Sequence, residues 1–334
     1  MDNSGKSGTA LLKDSFGRKI NYLRLAVTDR CNLRCFYCMP DEGIKSISHN
    51  EILTYEETLR LINIFSGLGI NKLRITGGEP FVRKGLINFI ESVVNSNPSI
   101  STFITTNGVL IFPYLSKLKE LGIKGINLSL DTLNQDKFKL ITKRNSFPDV
   151  INTLYEIIRL KIPVKINTVV SKDFNIDEIK DIAFLSKDKN IEVRFIEQMP
   201  FNGKDNSIKF TGEKEILAIL QRDFPGIVKL NNNNSTADLF FIPGFKGKIG
   251  IIGSYSRSFC DTCNRIRLKP SGMLKTCLYD NGVLDLREMV RTNYRDDEIK
   301  KVIIDSVNKK LKNGFDAENT SNYSVKNSMA TIGG

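Results

Sequence analysis

The sequence has no run of about 18 uncharged apolar residues, the length a helix needs to span a bilayer. Its first residues, Met1-Asp2-Asn3-Ser4-Gly5, lack the charged-then-apolar order of a secretory signal. The expectation is therefore a cytoplasmic chain with no membrane partner, where cysteines serve metals more often than disulfides. It has little histidine: His49 stands alone in a polar stretch. No basic stripe interleaved with aromatics is present, so nucleic acid is not the expected partner.

What is present points elsewhere. A length of 334 residues exceeds one simple core and fits a large α/β unit with a smaller second one. Lys plus Arg outnumber Asp plus Glu by 49 to 37, a net charge of +12. Such a surplus suits a small phosphorylated substrate, or simply a solvated lysine-rich surface.

From Asn21 to about Pro200, short β-like runs alternate with amphipathic helical stretches. The strands expected are Tyr22–Thr28, Lys72–Thr76, Thr102–Thr105, Gly125–Leu130, Val164–Val170 and Glu192–Ile196. Thr54-x-x-Glu57 reads as a capping box opening a helix whose apolar stripe holds Leu59, Ile62 and Phe65. Asn175-x-x-Glu178 reads as a second such start, and Pro113 suits the first turn of another helix. Six βα repeats imply a parallel sheet with right-handed crossovers.

Parallel strands covered on both faces should read as almost unbroken apolar runs. These do not. The period of two puts Arg24, Ala26 and Thr28 on one face, and likewise Lys72, Arg74 and Thr76. Asn127, Ser129 and Asp131 line up in the fourth strand, Lys165 and Asn167 in the fifth, Glu192 and Arg194 in the sixth. A polar side on nearly every parallel strand is costly unless it faces a wet or ligand-filled cavity. An incomplete parallel (βα)6 barrel satisfies that better than a flat sheet. After Pro200 the alternation stops. Thr211–Phe224 reads as helix, Asn231–Ser235 as loop, Asp238–Ile242 and Lys248–Ile252 as strands, and Asp296–Leu311 as a charged helix. The expected division is a partial barrel over 1–210, a smaller C-terminal α+β domain over 211–312, and a polar tail over 313–334.

The six cysteines form two groups of three. Cys31, Cys35 and Cys38 follow the first strand at spacings that can wrap one compact loop around a metal cluster. Three thiolates neither close a tetrahedral zinc site nor fill a four-iron cluster. A cubane bound here would keep one iron open. A zinc loop with a distant fourth ligand such as His49, or unliganded thiols, would give the same spacing. The second group is Cys260-x-x-Cys263 with Cys277 beyond it, again three ligands.

Cys31-x-x-x-Cys35-x-x-Cys38, with Tyr37 before the last cysteine, resembles the signature of radical S-adenosylmethionine enzymes. Thr76-Gly77-Gly78-Glu79-Pro80 resembles their GGEP motif. The run Cys31-Asn32-Leu33-Arg34-Cys35-Phe36-Tyr37-Cys38-Met39-Pro40, the second triplet and the Gly333-Gly334 end resemble the GTP 3′,8-cyclase family of molybdenum cofactor biosynthesis over nearly the whole chain. The resemblance implies two 4Fe-4S clusters, the second on Cys260, Cys263 and Cys277, with S-adenosyl-L-methionine on the open iron of the first. It implies that the cleaved cofactor yields a radical that abstracts the ribose 3′ hydrogen of GTP, after which carbon-3′ attacks carbon-8. Tyr37, Gly78, Ser129 and Met199 would then contact S-adenosylmethionine. Arg24, Arg74, Thr105, Lys165, Arg265 and Arg267 would contact GTP. Lys72 and Arg194 are further candidates, or ion-pair partners. Gly333 and Gly334 would enter the active site. A flavodoxin- or ferredoxin-type electron donor, a cyclic pyranopterin monophosphate synthase receiving the product, and a possible homodimer are the implied partners.

Residues alone support part of this. Arg265 and Arg267 alternate onto one side next to a metal ligand, and paired guanidiniums are good phosphate donors. Arg24, Arg74 and Lys165 come from three strands yet face the same inferred cavity. Two other readings remain: a peptide-modifying radical enzyme, which would carry more cysteines in its second unit, and a non-enzymatic iron–sulfur sensor, which would need no GGEP and no polar lumen.

Overall fold

The computed structural model describes residues 11–40, 42–199, 211–231, 236–321 and 328–333. Six strands arise where the sequence places them: β1 (Tyr22–Ala26), β2 (Lys72–Thr76), β3 (Ser101–Thr106), β4 (Gly125–Ser129), β5 (Val164–Val170) and β6 (Glu192–Glu197). Each is parallel to the next in chain order. One side of each strand carries the apolar set. Leu23, Leu73, Ile75, Ile104, Ile126, Leu128, Ile166 and Val193 are buried against the helices that connect the strands. The fold is thus mixed α/β around a parallel sheet.

The first connecting helix, Tyr55–Gly67, starts as its capping box requires. Glu57 N donates to Thr54 Oγ1 at 3.1 Å, and Thr54 N to Glu57 Oε2 at 2.8 Å. Leu61, Ile62 and Phe65 then turn inward, with Leu59 partly buried beside them. Pro113 opens a 3-10 turn, Phe112–Tyr114, that leads into the helix Leu115–Glu120. The second expected capping box is not one. Asn175 Nδ2 donates to Asp131 O and Val169 O, and Glu178 accepts from Thr132 Oγ1 and Leu133 N. These side chains tie the helix start to the end of β4 because that buried loop has unpaired backbone groups to satisfy.

Later strands extend the same sheet at both ends. β7 (Val228–Leu230), β8 (Asp238–Phe241) and β9 (Lys248–Ile252) form an antiparallel set whose last member runs parallel to β6. β10 (Arg265–Leu268), β11 (Met273–Lys275) and β12 (Leu284–Asp285) do the same beside β1. The order is β12-β11-β10-β1-β2-β3-β4-β5-β6-β9-β8-β7, so the later segment shares its sheet with the earlier one. The helices Glu213–Asp223 and Asp296–Asn308 lie where the sequence suggests. The expected Asn231–Ser235 loop falls almost wholly outside the described residues. No described helix is long and apolar enough to cross a membrane.

Candidate active site

The polar faces of β1 to β6 meet in one cavity of about 580 Å³. Arg24, Arg74, Thr105, Ser129, Lys165, Met199, Arg265 and Arg267 all line it, as do Lys72, Arg194, Tyr37 and Gly78. Cys31, Cys35 and Cys38 stand at one of its walls. The residues expected to contact S-adenosylmethionine or GTP thus share one cavity, whereas Cys260, Cys263, Cys277 and Gly333 are not among its lining residues. Gly334 lies outside the described residues.

Strand register arranges the cations in rows. Arg267 is level with Arg24, and Arg24 with Arg74, across β10, β1 and β2. The preceding row is Arg265, Tyr22 and Lys72. Three guanidiniums in one cross-strand row repel one another. Burial lowers Arg24 to about 9, helped by Arg267 and Arg74 and opposed by Tyr22. Burial, then Arg265, lowers Arg267 to about 10. Such a row favours negative charge beside it.

The protein supplies a fraction of it. Arg74 Nε donates to Tyr22 Oη at 2.6 Å, and its Nη1 to Ile104 O at 3.0 Å. Burial would raise the Tyr22 phenol, but Arg74 and Arg24 outweigh it and bring it down to about 7. Lys72 Nζ sits 4.6 Å from the Tyr22 ring centre and 4.9 Å from that of Phe103, a cation held between two aromatic faces. Lys165 and Arg194 share Glu192, at 2.7 Å and 2.5 Å. Both have ion-pair duties, so of the two weaker candidates Arg194 has a carboxylate partner and Lys72 has none among the described residues.

The cysteine loop and the glycine motif are built against each other. Gly78 N donates to Thr28 O at 2.8 Å, and Glu79 N to Arg30 O at 2.8 Å. A Cβ on Gly78 would stand 2.4 Å from Arg30 O, and one on Gly77 2.6 Å from Thr28 O. These glycines thus admit the backbone entering Cys31, a closer approach than any side chain allows. Glu79, fully buried, accepts from Asn107 N at 2.7 Å and Thr106 Oγ1 at 2.9 Å. Burial nonetheless pushes it up to about 7. Tyr37 Oη donates to Asp131 Oδ2 at 2.6 Å, and burial raises Asp131 to about 6.

Burial raises the Cys31 thiol to about 11, the Cys38 thiol to about 12, and Cys35 well above its usual value. Arg34 favours the Cys31 thiolate, but burial outweighs it. A metal that replaces the protons would make these thiolates. In each triplet the thiols feel one another's charge. Among the described residues no three metal-ligating side chains converge as a single-ion site would require. The donor set of the Cys31 loop, three thiols, suits an iron–sulfur cluster with one iron left open. Cys263 differs from the first triplet: burial opposes it, but Arg265 and Lys310 hold it down to about 6. Arg265 Nη2 lies 3.7 Å from its sulfur.

The tail reaches this site. Ser328 Oγ donates to Cys38 O at 2.6 Å, and Met329 N to the same oxygen at 3.1 Å. Gly333 O accepts from Arg267 Nη1 at 2.9 Å. Ile332 packs with Tyr279, Ala317 and Met199 next to Cys277.

Some lining residues escape a sequence reading. Tyr22, Phe103 and Phe259 read as core aromatics, although Tyr22 has the same period-two phase as Arg24. Asn107 donates to Asn32 Oδ1 at 2.8 Å and lies 3.8 Å from Cys31 Sγ, with no motif to mark it. Asn167 Oδ1 is buried without a partner among the described residues, an acceptor available to a ligand.

Known proteins share this design. The Radical SAM superfamily model matches residues 25–185, and the Molybdenum Cofactor Synthesis C model matches residues 191–315. The GTP 3′,8-cyclase of Alkaliphilus oremlandii is 40% identical over 330 residues, 97% of this chain and 100% of that one. Molybdenum cofactor biosynthesis protein 1 of Dictyostelium discoideum is 41% identical over 306 residues, 90% of this chain and 49% of that protein. The chain spans about half the length of such longer relatives. Streptococcus suis SuiB has the same fold, with a TM-score of 0.62 at 12% identity, covering 94% of this chain and 77% of that one. The anSMEcpe structure with bound AdoMet follows at 0.55 and 17% identity, covering 83% and 82%. The motifs, the cavity they line and the full-length relative agree: the chain belongs to the GTP 3′,8-cyclase family of radical S-adenosylmethionine proteins.

Proposed function

We propose that this chain converts GTP to (8S)-3′,8-cyclo-7,8-dihydroguanosine 5′-triphosphate in molybdenum cofactor biosynthesis. The observation that carries the reading is the cross-strand row Arg267–Arg24–Arg74, with Arg74 buried and the other two partly so, in a cavity that the Cys31, Cys35 and Cys38 triplet also lines. A triphosphate would answer the positive charge gathered in this row, and planar guanidiniums recognise phosphate oxygens well.

Cys31, Cys35 and Cys38 would hold a 4Fe-4S cluster whose electron opens S-adenosylmethionine to a carbon radical. The chain's own residues do the rest. Tyr37, Gly78, Ser129 and Met199 would hold the cofactor along the cysteine wall. Arg24, Arg74, Thr105, Lys165, Arg265 and Arg267 would hold GTP, with Lys72 and Arg194 completing the field. Cys260, Cys263 and Cys277 would carry a second 4Fe-4S cluster that leaves one iron for the guanine base. Gly333 and Gly334 would close the cavity and help exclude water and oxygen. The architecture reads as an incomplete (βα)6 barrel over 1–210 with an iron–sulfur unit over 211–312 and a tail over 313–334. A low-potential flavodoxin or ferredoxin, a downstream cyclic pyranopterin monophosphate synthase, a cytoplasmic setting and a homodimer complete the proposal.

Anaerobically reconstituted protein with reductant and S-adenosylmethionine should form 5′-deoxyadenosine only when GTP is added. Deuterium at the 3′ position of GTP should appear in that product. Cleavage without deuterium transfer would remove the cyclase reading and leave the radical enzyme standing.

A further inference from the structure

Lys310 follows the helix Asp296–Asn308 and is only 3% exposed. Its ammonium donates to Thr276 O, next to Cys277, and to Arg265 O at 3.2 Å, two residues past Cys263. No carboxylate among the described residues forms an ion pair with it. The carboxylate nearest in sequence to Cys277, Asp280, is occupied by Thr276 N, Cys277 N and Gly282 N. Arg18 offers a contrast. It reaches Cys260 O at 2.9 Å in the same way, but pairs with Asp14 at 2.5 Å.

A buried ammonium bonded to carbonyls, with no carboxylate partner among the described residues, is costly in a low-dielectric interior unless a negative charge stands close by. A four-iron cluster on three thiolates has net negative charge, and gains one more unit on reduction. Potentials of such clusters follow local charge and hydrogen bonding. We propose that Lys310 is the fixed counter-charge of a cluster held by Cys260, Cys263 and Cys277, and that it raises that cluster's reduction potential. The inference rests on the second-cluster reading above.

The test uses the full chain with Cys31, Cys35 and Cys38 changed to Ala, so that only the second site loads. Iron per chain and the midpoint potential, followed by electron paramagnetic resonance, are the readouts. The parent should hold about four irons. Lys310→Met should hold the same iron at a more negative midpoint, and Lys310→Arg should return to the parent value. If Lys310→Met fails to load, Lys310→Arg decides: loading at the parent potential supports the proposal. An unchanged midpoint in a loaded Lys310→Met overturns it, as does failure of both variants to load, which marks a structural post only. A parent without iron removes the second-cluster reading, and this proposal with it.

Discussion

Tyr22 occupies the position where the cavity's electrostatics can be tuned by one proton. Its phenol titrates near 7 because Arg74 and Arg24 favour the anion. Above that pH the tyrosinate neutralises part of the arginine row and competes with a triphosphate. Below it the full positive field is available. GTP affinity, measured by calorimetry with S-adenosylmethionine absent, should therefore weaken about threefold to tenfold between pH 6 and pH 8. Tyr22→Phe should flatten that dependence. By linkage, GTP binding at pH 7.5 should take up a proton in the parent and not in the variant. The arginines were legible in the sequence because period two put cations on one face. Tyr22 was not, since an aromatic at a strand start fits a core equally well, and only register shows that it shares a row with Arg265 and Lys72.

At the scale of elements, the strands of the parallel core were readable to within a residue or two because polar and apolar positions alternate cleanly. The capping box at Thr54 was readable because both partners are local. Asn175 and Glu178 have the same spacing, but their partners lie on the β4 end and the loop after it, distant contacts that no local pattern reveals. The short helix Met329–Ile332 is the element most sensitive to a single change. Gly333 ends it at φ +83°, where a Cβ would come 2.8 Å from Ala26 Cβ and 3.1 Å from Thr76 Cγ2. Gly333→Ala should push the tail off β1 and β2 and break its bond to Arg267. Limited proteolysis before Ser328 should accelerate, and turnover should fall about tenfold or more through lost positioning, with both ligands still bound. Resistance to protease equal to the parent's would contradict that account.

For the whole molecule, the break in βα alternation after Pro200 suggested a separable unit, and sequence periodicity could not show where its strands would pair. They pair with both edges of the parallel core. β9 continues β6, and β10 continues β1, with Asn264 Nδ2 also donating to Asn21 Oδ1 across 243 residues. The sheet should accordingly melt as one. Calorimetry of the ligand-free chain should give a single transition whose calorimetric and van't Hoff enthalpies agree, and a fragment ending at 199 should aggregate through its two bare edges. Two resolved transitions would show that the segments are independent.

The pairing of β10 with β1 also sets a timetable for synthesis. A ribosome adds about 5–20 residues each second, so β1 waits roughly 10–50 seconds for its neighbour. During that interval the Cys31 loop has already emerged, while one flank of its supporting strand still presents open backbone groups to any passing chain. Slow elongation lengthens the exposure, and faster delivery of the later strands shortens it. Yield of folded protein should then depend on codon choice and temperature through the hundreds of codons that separate Asn21 from Asn264.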